Sequence, residues 1–438
     1  MIKMKHITAA VLSACIFAGG CGAGQEQTSV YYLNFKPEVA SVWRELAKDY
    51  EAETGVEVKV LTVANGNYEQ RLKAELAKKD APTLFHINGP IGYENWKNYC
   101  MDLSETELYT WQLDQDIAVK SGNGIYGIPY VVEGYGIIYN DAIMKKYFSL
   151  LTKAVPFSGM DEVNNYEKLK AVVEDMTLHK EELGIEGVFA STSFSSGEDW
   201  RWQTHLANVS IFYEFLDKNV ADSDILDFTY ADNYKNIFDL YVQNSCAQPS
   251  ELAAKTVKDS MEDFALGRAA MVQNGNWAWS QIAEVEGNKV SEDDVKYMPI
   301  YMGIEGEESQ GLCIGTGNYL CVNATAPKEE QEAAVEFMKW VYSSDTGKDY
   351  VTNQLSFIAP FQTFSEAERP NNPLAREVTQ DMEDASTTSV NWIFSTFPSQ
   401  KFKDKFGASL LSYVNGECGW DEVVAGVKEE WALEKAAQ

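Results

Sequence analysis

An α/β architecture, with mostly parallel sheets flanked by helices, is predicted by three features of the sequence. Strand-like and helix-like runs alternate through the first hundred residues, long amphipathic helical stretches fill the middle, and strand character returns near residue 319 before a last helical third. VYYLNF (30–35) alternates as a strand, and VWRELAKDYEAETG (42–55) carries apolar residues at helical spacing and stops at Gly55. VEVKVLTV (56–63) is the next strand, NYEQRLKAELAKKDAP (67–82) the next helix, and TLFHIN (83–88) a third strand. Ligands of such sheets sit beyond the carboxyl ends of the strands, which nominates Asn34 and Phe35, Asn65 to Tyr68, and Asn88 with Gly89 as rim residues. YEKLKAVVEDMTLHKEEL (166–183), DWRWQTHLANVSIFYEFL (199–216) and NYKNIFDLYVQN (233–244) have apolar stripes at 3.6 spacing, and VKDSMEDFALGRAAMVQ (257–273) reads as a helix closed at Gly267 and followed by a strand. A second α/β unit accounts for this region. YLCVNA (319–324) is again a strand, and KEEQEAAVEFMKWVYSS (328–344) an amphipathic helix after Pro327. With no internal repeat or Pro-rich linker, the boundary between units runs through structured connections.

Composition narrows the function classes. The 438 residues suffice for two or three domains. Against 36 Lys and Arg stand 66 Asp and Glu, a formal charge of -30, so the surface repels nucleic acid and anionic lipid. The 11 Trp, 23 Tyr and 20 Phe argue for packed cores.

The amino terminus has the pattern of an export signal. Lys3, Lys5 and His6 precede the apolar run ITAAVLSACIFAGG (7–20), too short to span a bilayer and of the length of a secretory h-region. AGGC ends at Cys21 and the flexible GAGQEQTS follows, which resembles a bacterial lipoprotein signal, although Ala18 stands where leucine is usual. The expectation is a signal peptide over 1–20, lipidation at Cys21, a linker over 21–29, and a chain held at the outer face of the cell membrane.

Cys100, Cys246, Cys313, Cys321 and Cys418 form no CxxC pattern and read as small apolar thiols, a disulfide between distant members remaining open in an exported chain. No HExxH, GxSxG or Cys/His constellation occurs, GTGNY (315–319) lacks the lysine of a phosphate-binding loop, and the acidic run ADSDILDFTYAD (221–232) has Asp227 where a calcium loop needs glycine. Neither a cofactor nor a metal is expected. Glu198 and Asp199 are the nearest approach to a hydrolase pair, but adjacent helical residues point about 100° apart and flank one bond poorly.

Three stretches, GNGIYGIPYVVEGYGIIYN (122–140), ALGRAAMVQNGNWAWSQI (265–282) and YLCVNATAPKEEQEAAVEFMKWVYSSDTGKDYV (319–351), in this order behind a lipoprotein-like leader, resemble the carbohydrate-type extracellular solute-binding proteins of bacterial ABC importers, relatives of the maltose-binding protein. The resemblance implies a two-lobe periplasmic-binding-protein fold with a multi-crossover hinge, one lobe over 30–140 and 316–357 and the other over 141–315 and 358–438. It also implies a monomeric receptor that captures an oligosaccharide between the lobes and hands it to a permease. A peptide or polyol receptor of the same fold and an exported glycoside hydrolase are the competing readings.

A sugar ring presents hydroxyls at its edge and C–H groups on its faces, so its site needs flat aromatic surface and fixed hydrogen-bonding groups. The resemblance places the tryptophan of the G-x-W element, Trp277, at the cleft as a stacking surface, with Gly275 and Asn276 letting the backbone come close; the alternative is a core tryptophan. Trp279 is expected to pack. Trp200, Arg201, Trp202 and His205 would open a helix facing the cleft, with arginine beside aromatic rings as in sugar sites and in plain cation–π packing. The resemblance further puts Glu133 and Trp392 near the cleft, with Tyr135 and Tyr130 beside the crossing. Glu133 then accepts a hydroxyl or makes a hinge salt bridge. Asn34 and Asn88 are rim hydroxyl partners or turn caps.

Overall fold

A computed structural model describes residues 28–63 and 65–437; the expected leader, Cys21 and most of the linker lie outside the described residues. The first sheet contains β1 (Ser29–Asn34), β2 (Glu57–Thr62), β3 (Leu84–Ile87), β4 (Val119–Ser121) and β5 (Gly124–Pro129). Next come β6 (Glu133–Asn140), β7 (Gly187–Phe189), β8 (Ala269–Gly275), β9 (Val295–Met298) and β10 (Gln310–Gly315), then β11 (Tyr319–Val322), which rejoins the first sheet, and β12 (Thr388–Asn391). The strand orders are β2-β1-β3-β11-β5-β4 and β12-β10-β6-β8-β7, with β9 on β6.

The α/β, two-lobe expectation holds, but the sheets are mixed rather than mostly parallel. β1/β2, β1/β3, β7/β8 and β10/β12 run parallel, whereas β11 opposes β3 and β5, β4 opposes β5, and β6 opposes β8, β9 and β10. The hinge explains much of this: β5 and β6 carry the chain out of the first lobe and β10 and β11 bring it back alongside, so each outgoing strand meets a returning neighbour of opposite direction. Glu133 pairs with Gly315 and Pro129 with Tyr319.

The pairing also corrects the expected boundaries. β6 belongs wholly to the second sheet, so the first crossing falls at residues 130–132, before Glu133, rather than after 140. Past 357 the chain stays with the first lobe: Phe361 is in its core, and Val132 bridges Ile358 as a third hinge segment. The helix Pro373–Glu383 then covers the second sheet, where Leu374 and Val378 are buried. Hydrophobic pattern alone misplaces these joins because a strand reads the same on either side of a hinge.

Each lobe has its own apolar centre. Trp43, Phe85, Phe337 and Tyr342 lie in that of the first, and Trp202, Phe238, Phe406 and Trp431 in that of the second. The helix Ala40–Thr54 ends where Gly55 takes φ 76, a left-handed cap that needs glycine, as its sequence requires. Cys100, Cys313 and Cys321 are buried and Cys246 and Cys418 half-buried, all five as free thiols. No helix among the described residues is long and apolar enough to cross a membrane.

Candidate functional site

The carboxyl end of β1 and the start of β6 meet at a buried ion pair. Lys36 Nζ stands 2.6 Å from Glu133 Oε1 and 3.7 Å from Glu38. Burial works to lower the Lys36 pKa, but the two carboxylates outweigh it and hold it above its ordinary value. Lys36 belongs to the first lobe, yet its ammonium lies 5.7 Å from the centre of the Trp277 ring of the second and 5.8 Å from that of Phe357. Trp277 therefore faces the seam between lobes. It is half-buried, as are Trp200 and Trp392.

These three indoles and His205 form one cluster on the second lobe. Ring centres of Trp200 and Trp277 are 5.9 Å apart, of His205 and Trp200 4.5 Å, of His205 and Trp277 5.6 Å, and of Trp277 and Trp392 6.4 Å. Local backbone sets their positions. Trp277 caps the short helix Ala278–Ala283 and folds its indole back over its own chain, so that a Cβ on Gly275 would come within 2.1 Å of the ring. Gly275 thus makes room for the indole rather than for a ligand. Gly315 does the same for Trp392, whose Cβ and Cγ would each lie 2.7 Å from an added methyl. Gly275→Ala is expected to rotate the Trp277 ring out of place and weaken ligand binding about tenfold at a cost of about 1–3 kcal/mol in stability, checked by titration and urea unfolding of the same preparation.

Arg201 opens a π-helical turn, Arg201–Leu206, that runs into the helix Ala207–Lys218. Such turns recur at functional sites because the widened turn re-aims side chains. Its guanidinium lies 3.9 Å over the Trp200 ring and donates to Asn274 Oδ1 at 2.9 Å. Burial pushes its pKa down to about 9, so it remains charged at neutral pH. His205 is held well below its usual range, by burial first and then by Arg201 and Lys403, and is neutral.

Several expected ligand contacts are structural instead. Trp202 is 1% exposed, lies on Phe194 at 4.7 Å, and donates its Nε1 to the Ser193 carbonyl at 2.9 Å: it is a core tryptophan, because the π turn points it inward while its neighbour Trp200 stays at the seam. Tyr135 is fully buried, stacked 4.1 Å under His205 with its hydroxyl on the His205 carbonyl, so it backs the aromatic cluster without reaching the seam. Asn34 is sealed; its amide donates to the Lys36 carbonyl and Thr62, and its Oδ1 accepts from Lys36 N, which builds the turn that presents Lys36. Asn276 clips the two middle strands of the second sheet, accepting from Gly134 N at 3.1 Å. Glu133 takes the salt-bridge role. Phe35 and Tyr68 are core, the latter donating to the Leu33 carbonyl. Asn88 is half-buried at the start of the helix Gly89–Trp96 and makes no capping bond, so it stays at the rim. Trp279 packs, as expected. Glu198 accepts from Val257 N and the Asp199 carboxylate lies against Gly407, so this pair does not flank a common space.

The lobes touch across the seam. A Cβ on Gly89 of the first would sit 2.7 Å from Ser395 of the second, and Glu69, which accepts from Trp96 Nε1, attracts the buried Lys403, whose pKa burial pushes down to about 8. Lys36, Glu38, Lys403 and Ser395 are not signalled by any motif; Lys36 directly follows the nominated pair Asn34 and Phe35, and that adjacency is the one clue to it in the sequence.

Comparison with known proteins agrees with the fold. The Streptococcus mutans multiple sugar-binding protein is 20% identical over 391 residues, 86% of each chain. A chitin oligosaccharide binding protein superposes with a TM-score of 0.72 at 19% identity, over 94% of this chain and 99% of that one. A Bacillus licheniformis sugar transporter in complex with stachyose gives 0.64 at 17%, over 93% and 100%. The family described as bacterial extracellular solute-binding protein, one of receptors rather than enzymes, matches residues 45–377, and this chain belongs to it.

Proposed function

We propose that the chain is a lipid-anchored receptor that takes an oligosaccharide between its lobes and delivers it to an ABC permease. One observation carries the reading: three half-buried indoles from separate chain segments, Trp200, Trp277 and Trp392, gather at the seam where the first lobe's Lys36 meets the second lobe. Flat apolar rings beside fixed polar groups suit the two-sided chemistry of a pyranose, and several rings suit more than one sugar unit. The sugars named for the similar proteins support the same class. Lobe closure on the ligand would be the state the permease reads, by differential binding.

The test is a titration of the mature chain with an oligosaccharide panel, followed by tryptophan fluorescence, thermal shift and product analysis. At a hundred times its dissociation constant a ligand adds about 2.7 kcal/mol of stability. Saturable binding without cleavage is the expected result; stabilisation by peptides or polyols alone, or turnover of the glycan, would refute the proposal. The anchor is read separately, by incorporation of labelled fatty acid that Cys21→Ala prevents.

A further inference from the structure

Arg201, like Lys403 farther along the seam, is a buried cation that no carboxylate touches among the described residues. It is 3% exposed, and of its guanidinium nitrogens only Nη2 has a partner, Asn274; Nε and Nη1 are sealed from water without a hydrogen bond. Glu198 and then Glu38 of the first lobe attract it, but neither touches it: Glu198 accepts from Val257 N and Glu38 lies 3.7 Å from Lys36. A buried N–H left without an acceptor is costly, and more so on a charged group, so such a position usually marks a missing partner. Two further groups of the same cluster are also sealed and unpartnered: Trp392 Nε1, a donor only, and His205 Nδ1. Contact with the Trp200 ring at 3.9 Å holds the guanidinium in place, with Nη2 on Asn274 and Nε and Nη1 without a protein acceptor.

The unpartnered Arg201 and Trp392 groups are donors, and Arg201 adds a positive charge that an unpartnered acceptor beside it, the neutral amide oxygen of Gln273, does not balance. The hydroxyls of a neutral sugar would accept from the N–H groups but leave the charge uncompensated in a site removed from water. A carboxylate supplies acceptor lone pairs and the opposite charge together, in the stronger class of hydrogen bond. Because the chain as a whole carries -30, an acidic ligand is repelled by most of its surface, and a buried arginine is the kind of feature needed to select one. We propose that the sugar unit seated against Arg201 bears a carboxylate, so that the receptor takes a uronate-containing oligosaccharide; this rests on the reading of the seam as a saccharide site.

The experiment uses the mature chain and matched glycans: uronate-bearing oligosaccharides, their methyl esters, and neutral oligosaccharides of the same backbone, compared by calorimetry. Esterification removes the charge and keeps ring and hydroxyls. The acid is expected to bind about tenfold tighter or more than its ester and its neutral counterpart, and Arg201→Gln to erase that ratio. Acid and ester binding alike, or the neutral glycan binding tighter, overturns the acidic assignment and leaves the receptor standing. Binding by none of the glycans overturns the receptor reading and this inference with it. The acid-to-ester ratio is measured on the unaltered chain, so the result stands even if the variant folds poorly.

Discussion

Replacing Trp277 by alanine is expected to weaken oligosaccharide binding roughly 30- to 150-fold, the equivalent of about 2–3 kcal/mol for about 100 Å² of apolar sugar and ring surface that stacking would otherwise cover. The fold should tolerate the change, because the indole is half-buried at the seam, on the edge of the second lobe's core, beside Gly275 and neighbouring rings. The thermal midpoint of the ligand-free variant should therefore move by only a few degrees. Trp277→Phe keeps a flat ring and should recover much of the affinity, while Trp279→Ala, at a packed position on the same short helix, should act mainly on stability. Isothermal titration of the three variants separates these outcomes. A Trp277→Ala protein that binds like its parent would remove the stacking role, and the ligand would then have to lie elsewhere along the seam.

What could be read from the sequence divides along a physical line. Local signals were legible: the left-handed stop at Gly55 and the amphipathic stripe of the helix Lys328–Ser343 act through neighbours a few residues away. Properties decided by distant partners were not. Trp200 and Trp202 are alike in the sequence, yet the π turn sends one to the seam and the other into the core, and no period of 3.6 anticipates that widening. The lobe boundary at Glu133 is hidden because β6 looks like any apolar strand until its partners β8 and β10 are known. Lys36 and Glu133 are 97 residues apart, and their pairing exists only once three hinge segments have closed side by side. Asn34 is a second case. Its place at a strand end left a ligand contact and a turn role both open, and only the folded chain shows that the turn that aims Lys36 consumes both ends of its amide.

That pair sets the second large effect. Glu133→Gln is expected to destabilise the chain by about 3 kcal/mol, at the lower end of what removing one partner of a buried ion pair costs, because Lys36 would keep only Glu38 at 3.7 Å. Lys36 and Glu133 are 5% and 7% exposed, so water screens the remaining charge little. Lys36→Met should cost a similar amount for the opposite reason, by leaving Glu133 and Glu38 buried together. The double variant, Lys36→Met with Glu133→Gln, should recover part of either loss, since a buried pair gains little net energy over an uncharged replacement of similar volume while Glu38 still loses its lysine. Urea midpoints of the four proteins complete the cycle; strictly additive losses would show that the two side chains act independently. The pH dependence has a definite sign. The folded Lys36 pKa lies above its ordinary 10.5, so the pair's contribution is fully present below that value and is lost only as pH rises through the higher folded one. Stability differences between parent and Glu133→Gln should therefore be flat from about pH 6 to 9 and shrink in stronger base. Because the ammonium lies 5.7 Å from the centre of the Trp277 ring, the same double variant also removes a cation beside the proposed stacking surface, and its ligand affinity should shift even where its stability does not.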